Sequence, residues 1–197
     1  QSRLIDLQHR QRIRAIRSAQ SRTDTDFFNT VNQYDVASQR FFDRVYKSRG
    51  IELEASLRMN EFFLNGGLTW TDAEISKDDI SPANEGNTPR RQADVVYQLT
   101  GGYAAANWTV GANVIGTGDA YAQDNNQLVM PGYTQVNLFA DYRFAENWVV
   151  GLNVNNLFDT FGITESEEGG IVANTENIIR ARSIPGRTAS LSVRYEF

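Results

Sequence analysis

Residues 132–158 read GYTQVNLFADYRFAENWVVGLNVNNLF, and this stretch decides the fold. Val136, Leu138, Ala140, Tyr142 and Phe144 occupy alternate positions, with Asn137, Asp141 and Arg143 between them and Phe139 as the apolar exception. Ala145 to Asn147 form a short polar turn, after which Trp148, Val150, Leu152, Val154, Asn156 and Phe158 alternate against Gly151, Asn153 and Asn155. A period of two marks a strand, because successive side chains leave a pleated ribbon on opposite faces. Two such runs joined by a tight turn predict a hairpin. Its apolar face and the aromatics near its turn suit contact with lipid.

The same pattern recurs outward from this hairpin. Within a run beginning near Phe41, Ile51, Leu53, Ala55, Leu57 and Met59 face one way and Glu52, Glu54, Ser56 and Arg58 the other. A turn at Asn60-Glu61 leads to Phe62, Leu64, Gly66, Leu68 and Trp70. Val95 to Ala105 and Trp108 to Val114 form another pair, and Thr188 to Phe197 closes the chain with Leu191, Val193, Tyr195 and Phe197 in alternation. Seven strands result, and a weaker one is expected within residues 27–36. Their connections alternate between short turns near 60, 106 and 146 and long polar loops at 75–90, 117–131 and 159–184. Short turns at one end and long loops at the other are the asymmetry of outer-membrane barrels, whose short turns are periplasmic. Trp70, Tyr103, Trp108, Tyr142, Phe144, Trp148, Tyr195 and Phe197 lie near strand ends, where rings form interfacial girdles. A soluble antiparallel sandwich with aromatic core ends is the alternative that the pattern leaves open.

Composition bounds the function. The chain has 197 residues, 19 Lys+Arg against 24 Asp+Glu, and a formal net charge of -5, which argues against nucleic acid as a partner. Cysteine is absent, so no disulfide scaffold or thiolate metal site exists in this chain. The single histidine, His9, stands alone. No apolar run approaches the ~18 residues of a membrane helix, but a barrel strand needs only about 9–11 residues with one apolar face. Residues 1–40 form a basic segment, rich in arginine and of poorly defined structure with a possible strand, and 41–197 carry the clear strands. No acid/base pair, nucleophile triad or phosphate loop is present, so neither an enzyme nor a cofactor is expected.

Four motifs carry a resemblance. KSRGIELEASL (Lys47 to Leu57), PGYTQVNLFADYRF (Pro131 to Phe144), NVNNLFD (Asn153 to Asp159), and Pro185-Gly186-Arg187 followed by a strand ending on Phe197 stand in order. Together, over about residues 41–197, they resemble the carboxyl-terminal part of a TonB-dependent outer-membrane receptor. The resemblance implies seven or eight strands of a 22-stranded antiparallel barrel, an amino-terminal plug and upstream strands outside this chain, and a TonB box that engages the TonB complex. It also implies contact with outer-membrane lipid and insertion by the barrel-assembly machinery through the terminal strand. The implied function is energised uptake of a scarce ligand: an iron-siderophore, haem, a vitamin or a glycan. A chain of this length is expected to be part of a longer receptor. A small closed eight-stranded barrel serving as pore or adhesin is the alternative.

Residue roles follow from position. Candidates for the lumen or plug-facing surface are Glu52, Glu54, Arg58, Asn65, Asn113, Asn137, Asp141, Arg143, Asn153, Arg194 and Glu196. Ligand contacts are sought in the outer loops, at Trp70, Asp72, Asp78, Asp79, Tyr121, Asp124, Asn125, Asn126, Glu165, Glu167 and Glu168. Asp78, Asp79, Glu167 and Glu168 are hard oxygen donors of the type calcium takes, although a solvated acidic loop is the stronger reading and no metal site is assigned. Pro131, Gly132, Tyr133, Asn155, Asn156, Leu157, Phe158, Asp159, Pro185, Gly186, Arg187 and Phe197 form the structural motifs. Asn155, Asn156 and Asp159 suit strand and loop capping. Gly66, Gly67, Gly101, Gly102, Gly111 and Gly151 are expected to let the wall curve or to leave room for plug side chains.

Overall fold

The computed structural model describes residues 21–23, 29–35, 39–166 and 179–196. Expectations for His9, Glu167, Glu168 and Phe197 lie outside the described residues. The strands are β1 (Ser21–Thr23), β2 (Asn29–Asp35), β3 (Arg40–Met59), β4 (Phe62–Asp78), β5 (Val95–Ala104), β6 (Trp108–Thr117), β7 (Ala120–Tyr121), β8 (Val129–Met130), β9 (Tyr133–Ala145), β10 (Trp148–Asn155), β11 (Ile163–Ser166), β12 (Ala181–Ser183) and β13 (Thr188–Tyr195). The main sheet runs β3-β4-β5-β6-β9-β10-β13, with β1 and β2 both on the outer edge of β3. Every pairing in it is antiparallel. β7 pairs with β8 and β11 with β12, giving two small hairpins inside segments that the sequence reads as loops.

Register turns seven alternating patterns into one surface. Ile51 lies opposite Trp70, Leu53 opposite Leu68, Leu57 opposite Leu64 and Met59 opposite Phe62. The row continues through Leu99 opposite Val114, Val114 opposite Val136, Val150 opposite Val193 and Leu152 opposite Leu191. A one-residue slip would move a whole strand's apolar set to the other face, so this agreement fixes the register. Among the described residues nothing covers the surface: Leu64 is 42% exposed, Leu99 45% and Leu191 72%. The sandwich alternative needs a second sheet packed here, and among the described residues only two-stranded hairpins accompany the main sheet. Rings line the short-turn end, with Phe62–Tyr103 centroids 5.1 Å apart, Trp108–Tyr142 4.2 Å and Trp148–Tyr195 5.0 Å.

The sheet is open, which corrects the alternative of a small closed barrel. Among the described residues β13 pairs with β10 and does not meet β1 or β2. β3 has 20 residues and β4 has 17, well beyond the ~9–11 that a membrane requires. The sequence pattern breaks after Ala73, yet β4 continues to Asp78, because cross-strand charge pairs replace apolar pairs there: Lys47 with Glu74 at 3.9 Å and Arg44 with Asp78 at 2.5 Å.

Two glycines of the polar face lie beneath rings of the wall itself. A Cβ on Gly102 would meet the Phe63 ring and the Val110 carbonyl, and one on Gly111 the Phe139 ring and the Gly101 carbonyl. Gly102 and Gly111 are cross-strand partners. The two glycines therefore make a floor under two phenylalanines, which explains Phe139 as the exception to the alternation. Their space is filled from within the wall. Gly111→Leu should destabilise the barrel by about 1–3 kcal/mol through overpacking. Adding Phe139→Ala should restore only part of it, since the Gly101 carbonyl remains, as read by the temperature of heat-modifiable electrophoretic migration.

Candidate functional site

All three long connections leave the sheet at the end opposite the aromatic turns, and side chains from separate loops join there. At its centre is Arg44 of β3, which the sequence reading did not single out. It is 7% exposed, and its Nη2 donates to Asp78 Oδ2 at 2.5 Å and its Nη1 to Asp124 Oδ2 at 2.6 Å. Asp78 is 0% exposed and Asp124 9%. A register shift makes the contact possible. From Met59 up to Tyr46 the partners of β3 follow one register, then Arg44 pairs with Asp78 after an irregularity at Val45/Tyr46. A bulge of this kind re-aims the side chains beyond it. Without it Asp78 would continue on the apolar side with Trp70 and Asp72.

Asp78 also accepts from the backbone N–H of Ile80 and Ser81 and from Asn84 Nδ2, folding the first long loop over itself around the short helix at Pro82–Asn84. Asp124 accepts the Arg90 N–H, and Asn126 bonds Thr88 in both directions. These bonds tie the second loop to the first. Asn125 is exposed, and its side chain accepts from the neighbouring Gln127 N–H. Tyr121 lies half-buried in β7 and takes the Arg91 N–H on its carbonyl. The third loop joins through Glu165, 3.5 Å from Arg91 and 3.2 Å from Arg182, while Arg91 donates to the Ser166 carbonyl at 2.7 Å. Arg91, Glu165, Arg180 and Arg182 line a polar recess there of about 360 Å³. Asp79 is exposed and pairs with Lys77.

Burial alone would raise the Asp78 pKa, but the Ser81 N–H and the Arg44 guanidinium outweigh it and hold the carboxyl below its ordinary value. For Arg44, burial lowers the pKa and hydrogen bonding to Tyr46 and Asp78, with the charge of Asp124, more than restores it, so the group stays cationic. A carboxyl depressed in the folded state contributes stability that is present above its unfolded pKa and fades as pH falls through the folded value. Hydrogen exchange at the Ile80 and Ser81 amides should therefore stay slow at pH 5. Protection should be lost only below the usual carboxylate range.

The structure distributes the other sequence candidates. Trp70 and Asp72 belong to β4, on the apolar side, rather than to a loop. On the polar side Asn113 Nδ2 donates to Thr100, Asn137 Nδ2 to Asn113 and Gln135 to Asn137, and Asn137 also accepts the Asn156 N–H. Asn65 accepts from Ser56. Glu52, Glu54, Arg58 and Asn153 are exposed on this face and Asp141 half-buried. Glu196 lies 3.0 Å from Arg143 and 3.2 Å from Arg194.

The NVNNLFD and PGR motifs meet in one knot. Asn156 is 1% exposed with φ 50°, a left-handed conformation that asparagine tolerates. Its amide donates to the Thr160 and Pro185 carbonyls, and its oxygen accepts the Thr160 N–H. Asp159 takes the Arg187 N–H at 2.7 Å and packs close to Gly186, while Arg187 reaches the Leu157 carbonyl. Gly132 donates to Asp119 in the turn beyond Pro131, and the Tyr133 ring lies against Gly162. Phe158 is 70% exposed, and Asn155 bonds Thr188.

A family model described as TonB dependent receptor-like, beta-barrel, matches residues 12–157. The chain belongs to the TonB-dependent receptor β-barrel family. Among curated relatives, the metal-pseudopaline receptor CntO of Pseudomonas aeruginosa is 32% identical over 119 residues, 57% of this chain and 17% of that protein. Among solved structures, the siderophore receptor PiuA of Acinetobacter baumannii superposes with a TM-score of 0.72 at 22% identity, covering 85% of this chain and 24% of PiuA. The ferric yersiniabactin uptake receptor FyuA of Yersinia pestis gives 0.67 at 20% identity, covering 81% and 25%. The chain thus spans about a quarter of the solved receptor chains that it matches. As part of a TonB-dependent receptor barrel it lies in the outer membrane.

Proposed function

We propose that this chain is the carboxyl-terminal portion of the barrel wall of a TonB-dependent transporter that takes up a scarce metal chelate across the outer membrane. The observation that carries this reading is the 32% identity to a metal-pseudopaline receptor, joined to a wall whose three outer loops are tied into one rim. On this reading the polar face lines the lumen. Glu52, Glu54, Arg58, Asn153 and Asp141 face a plug supplied elsewhere in the receptor, and about fourteen further strands close the open edges, which hydrocarbon does not tolerate unpaired. The plug region engages the TonB complex, and the terminal strand is read by the barrel-assembly machinery. Asn125, Glu165 and the recess around Arg91 and Arg182 are the ligand-facing candidates among the described residues. Asp78 and Asp124 serve by shaping the rim.

The test is uptake by cells whose gene for the full receptor is deleted and then restored. Deletion should abolish uptake of one labelled metal chelate under metal starvation, and restoration should rescue it only in cells with functional TonB. Rescue without TonB would indicate a passive pore. Unchanged uptake of every metal chelate tried after deletion would exclude the proposed cargo class.

A further inference from the structure

β10 and β13 end low on the wall. Val154 lies opposite Leu138, in the middle of β9, and the next pair, Asn155 with Thr188, is the last of both strands. Through Ala112 and Gly101 the same level reaches Leu64 and Leu57, above which β4 and β3 run on to Asp78 and Arg40. The third long loop therefore leaves the wall well below the rim that the first two share. One residue holds both of its feet. Asn156 Nδ2 donates to the Thr160 carbonyl at 2.9 Å and to the Pro185 carbonyl at 3.0 Å, and Asn156 Oδ1 accepts the Thr160 N–H at 2.8 Å.

Asn156 is itself held from the polar face. Its backbone N–H donates to Asn137 Oδ1 at 2.9 Å. Asn137, Asn113 and Thr100 are register partners on β9, β6 and β5. Asn137 Nδ2 donates to Asn113 Oδ1 at 3.2 Å, and Asn113 Nδ2 donates to Thr100 Oγ1 at 2.8 Å. All three side chains are half-buried and uncharged. An amide side chain has two orientations, with oxygen and nitrogen exchanged by a half-turn. The Asn156 N–H is fixed in the backbone and can only donate. Together with Gln135 Nε2 at 2.8 Å it selects the orientation that turns Asn137 Oδ1 toward it. Asn137 Nδ2 then faces Asn113, whose oxygen must turn to meet it, and Asn113 Nδ2 is left for Thr100. Each side chain sets the orientation of the next, from the foot of the loop across three strands.

We infer that Asn137 is a positioning residue for the third outer loop, and that the row Thr100–Asn113–Asn137 couples the polar face of the wall to both feet of that loop. A donor or acceptor that meets Asn113 or Thr100 from the interior biases the amides, and through Asn156 it biases the loop. Linkage makes the effect reciprocal, so a change at the loop alters the affinity of the row for that interior group by the same factor. The β11–β12 hairpin, with Glu165 and Arg182, is carried on this loop. The consequence for uptake rests on the reading of that hairpin as ligand-facing, whereas the coupling itself does not.

The test is amide hydrogen exchange of the full receptor in nanodiscs, read by mass spectrometry on fragments covering 157–166 and 181–187, with 79–94 as the control. Heat-modifiable migration confirms that each variant is folded. Asn137→Leu removes the acceptor and strands the Asn156 N–H, so exchange in both loop fragments should accelerate about tenfold. Asn137→Asp keeps the acceptor, and Asn113 can turn over to donate to it while the Thr100 hydroxyl donates to Asn113, so exchange should stay at the unmodified rate. Asn113→Ala touches nothing in the loop, yet it should accelerate the same fragments about threefold, as for one lost hydrogen bond further along the row. Asn113→Asp still accepts from Asn137 and should restore the unmodified rate. The 79–94 fragment should not change in any variant. If Asn137→Leu fails to fold, the two Asn113 variants and Asn137→Asp still decide the matter. Loop exchange unchanged by Asn113→Ala, Asn113→Asp as fast as Asn113→Ala, or acceleration by Asn137→Asp would each overturn the inference. No chelate is present in the measurement, so its failure is distinct from failure of the proposed uptake.

Discussion

Asp78→Ala is expected to loosen the outer rim by about 3–5 kcal/mol, because it leaves the buried Arg44 guanidinium without one of its two carboxylates. The same change removes the acceptor that holds the Ile80 and Ser81 amides. The strands below have their own ladder, so the effect should be local. In the full receptor in outer-membrane vesicles, proteolysis within residues 79–94 and 118–132 should accelerate by two to three orders of magnitude, while heat-modifiable migration persists. The triple replacement Arg44→Met, Asp78→Asn, Asp124→Asn should cost less than Asp78→Ala alone, since removing a buried ion cluster together avoids stranding a charge. If Asp78→Ala left the cleavage rates unchanged, Asp78 would not be the pin of the rim.

The second large effect separates the two faces of one strand. Gln98 and Leu99 are neighbours on β5, Gln98 opposite Gly67 and Leu99 opposite Gly66. Leu99→Arg places a charge among lipid chains and should cost about 2–4 kcal/mol near the middle of the bilayer. Gln98→Arg, on the exposed polar face, should stay within about 0.5 kcal/mol. The comparison is read as urea-dependent folding of the full receptor into liposomes. Similar costs for the two changes would mean that the sheet does not separate lipid from an aqueous interior.

What the sequence made legible follows the physics of each part. The strands and the alternation of short turns with long loops were readable because a wall with one apolar face imposes period two on every crossing. Asn155, Asn156 and Asp159 were read as capping residues and Gly186 as a turn residue; in the structure Asn156 and Asp159 bond Thr160, Pro185 and Arg187, which are near in space although the last two are distant in sequence. The outer rim was not legible. Asp78 read as a solvated loop carboxylate because its partner lies 34 residues away and reaches it only through a bulge. Asp124 is 80 residues from Arg44. Strand ends beyond the apolar rows have no apolar period to mark them, so the first long loop was read from residue 75, whereas β4 runs on to Asp78. Phe139 broke the alternation for a reason visible only across strands, the glycine beneath its ring.

The apolar face of this sheet is expected to meet lipid, and its polar face to be kept from it. Nitroxide scanning from Val136 to Tyr142 in the full receptor, reconstituted in liposomes, tests it most directly, and this chain contributes no native cysteine to interfere. Accessibility to oxygen, which partitions into hydrocarbon, should peak at 136, 138, 140 and 142, with minima at 137, 139 and 141. Accessibility uniform along the scan, or oxygen maxima at the odd positions, would contradict the account.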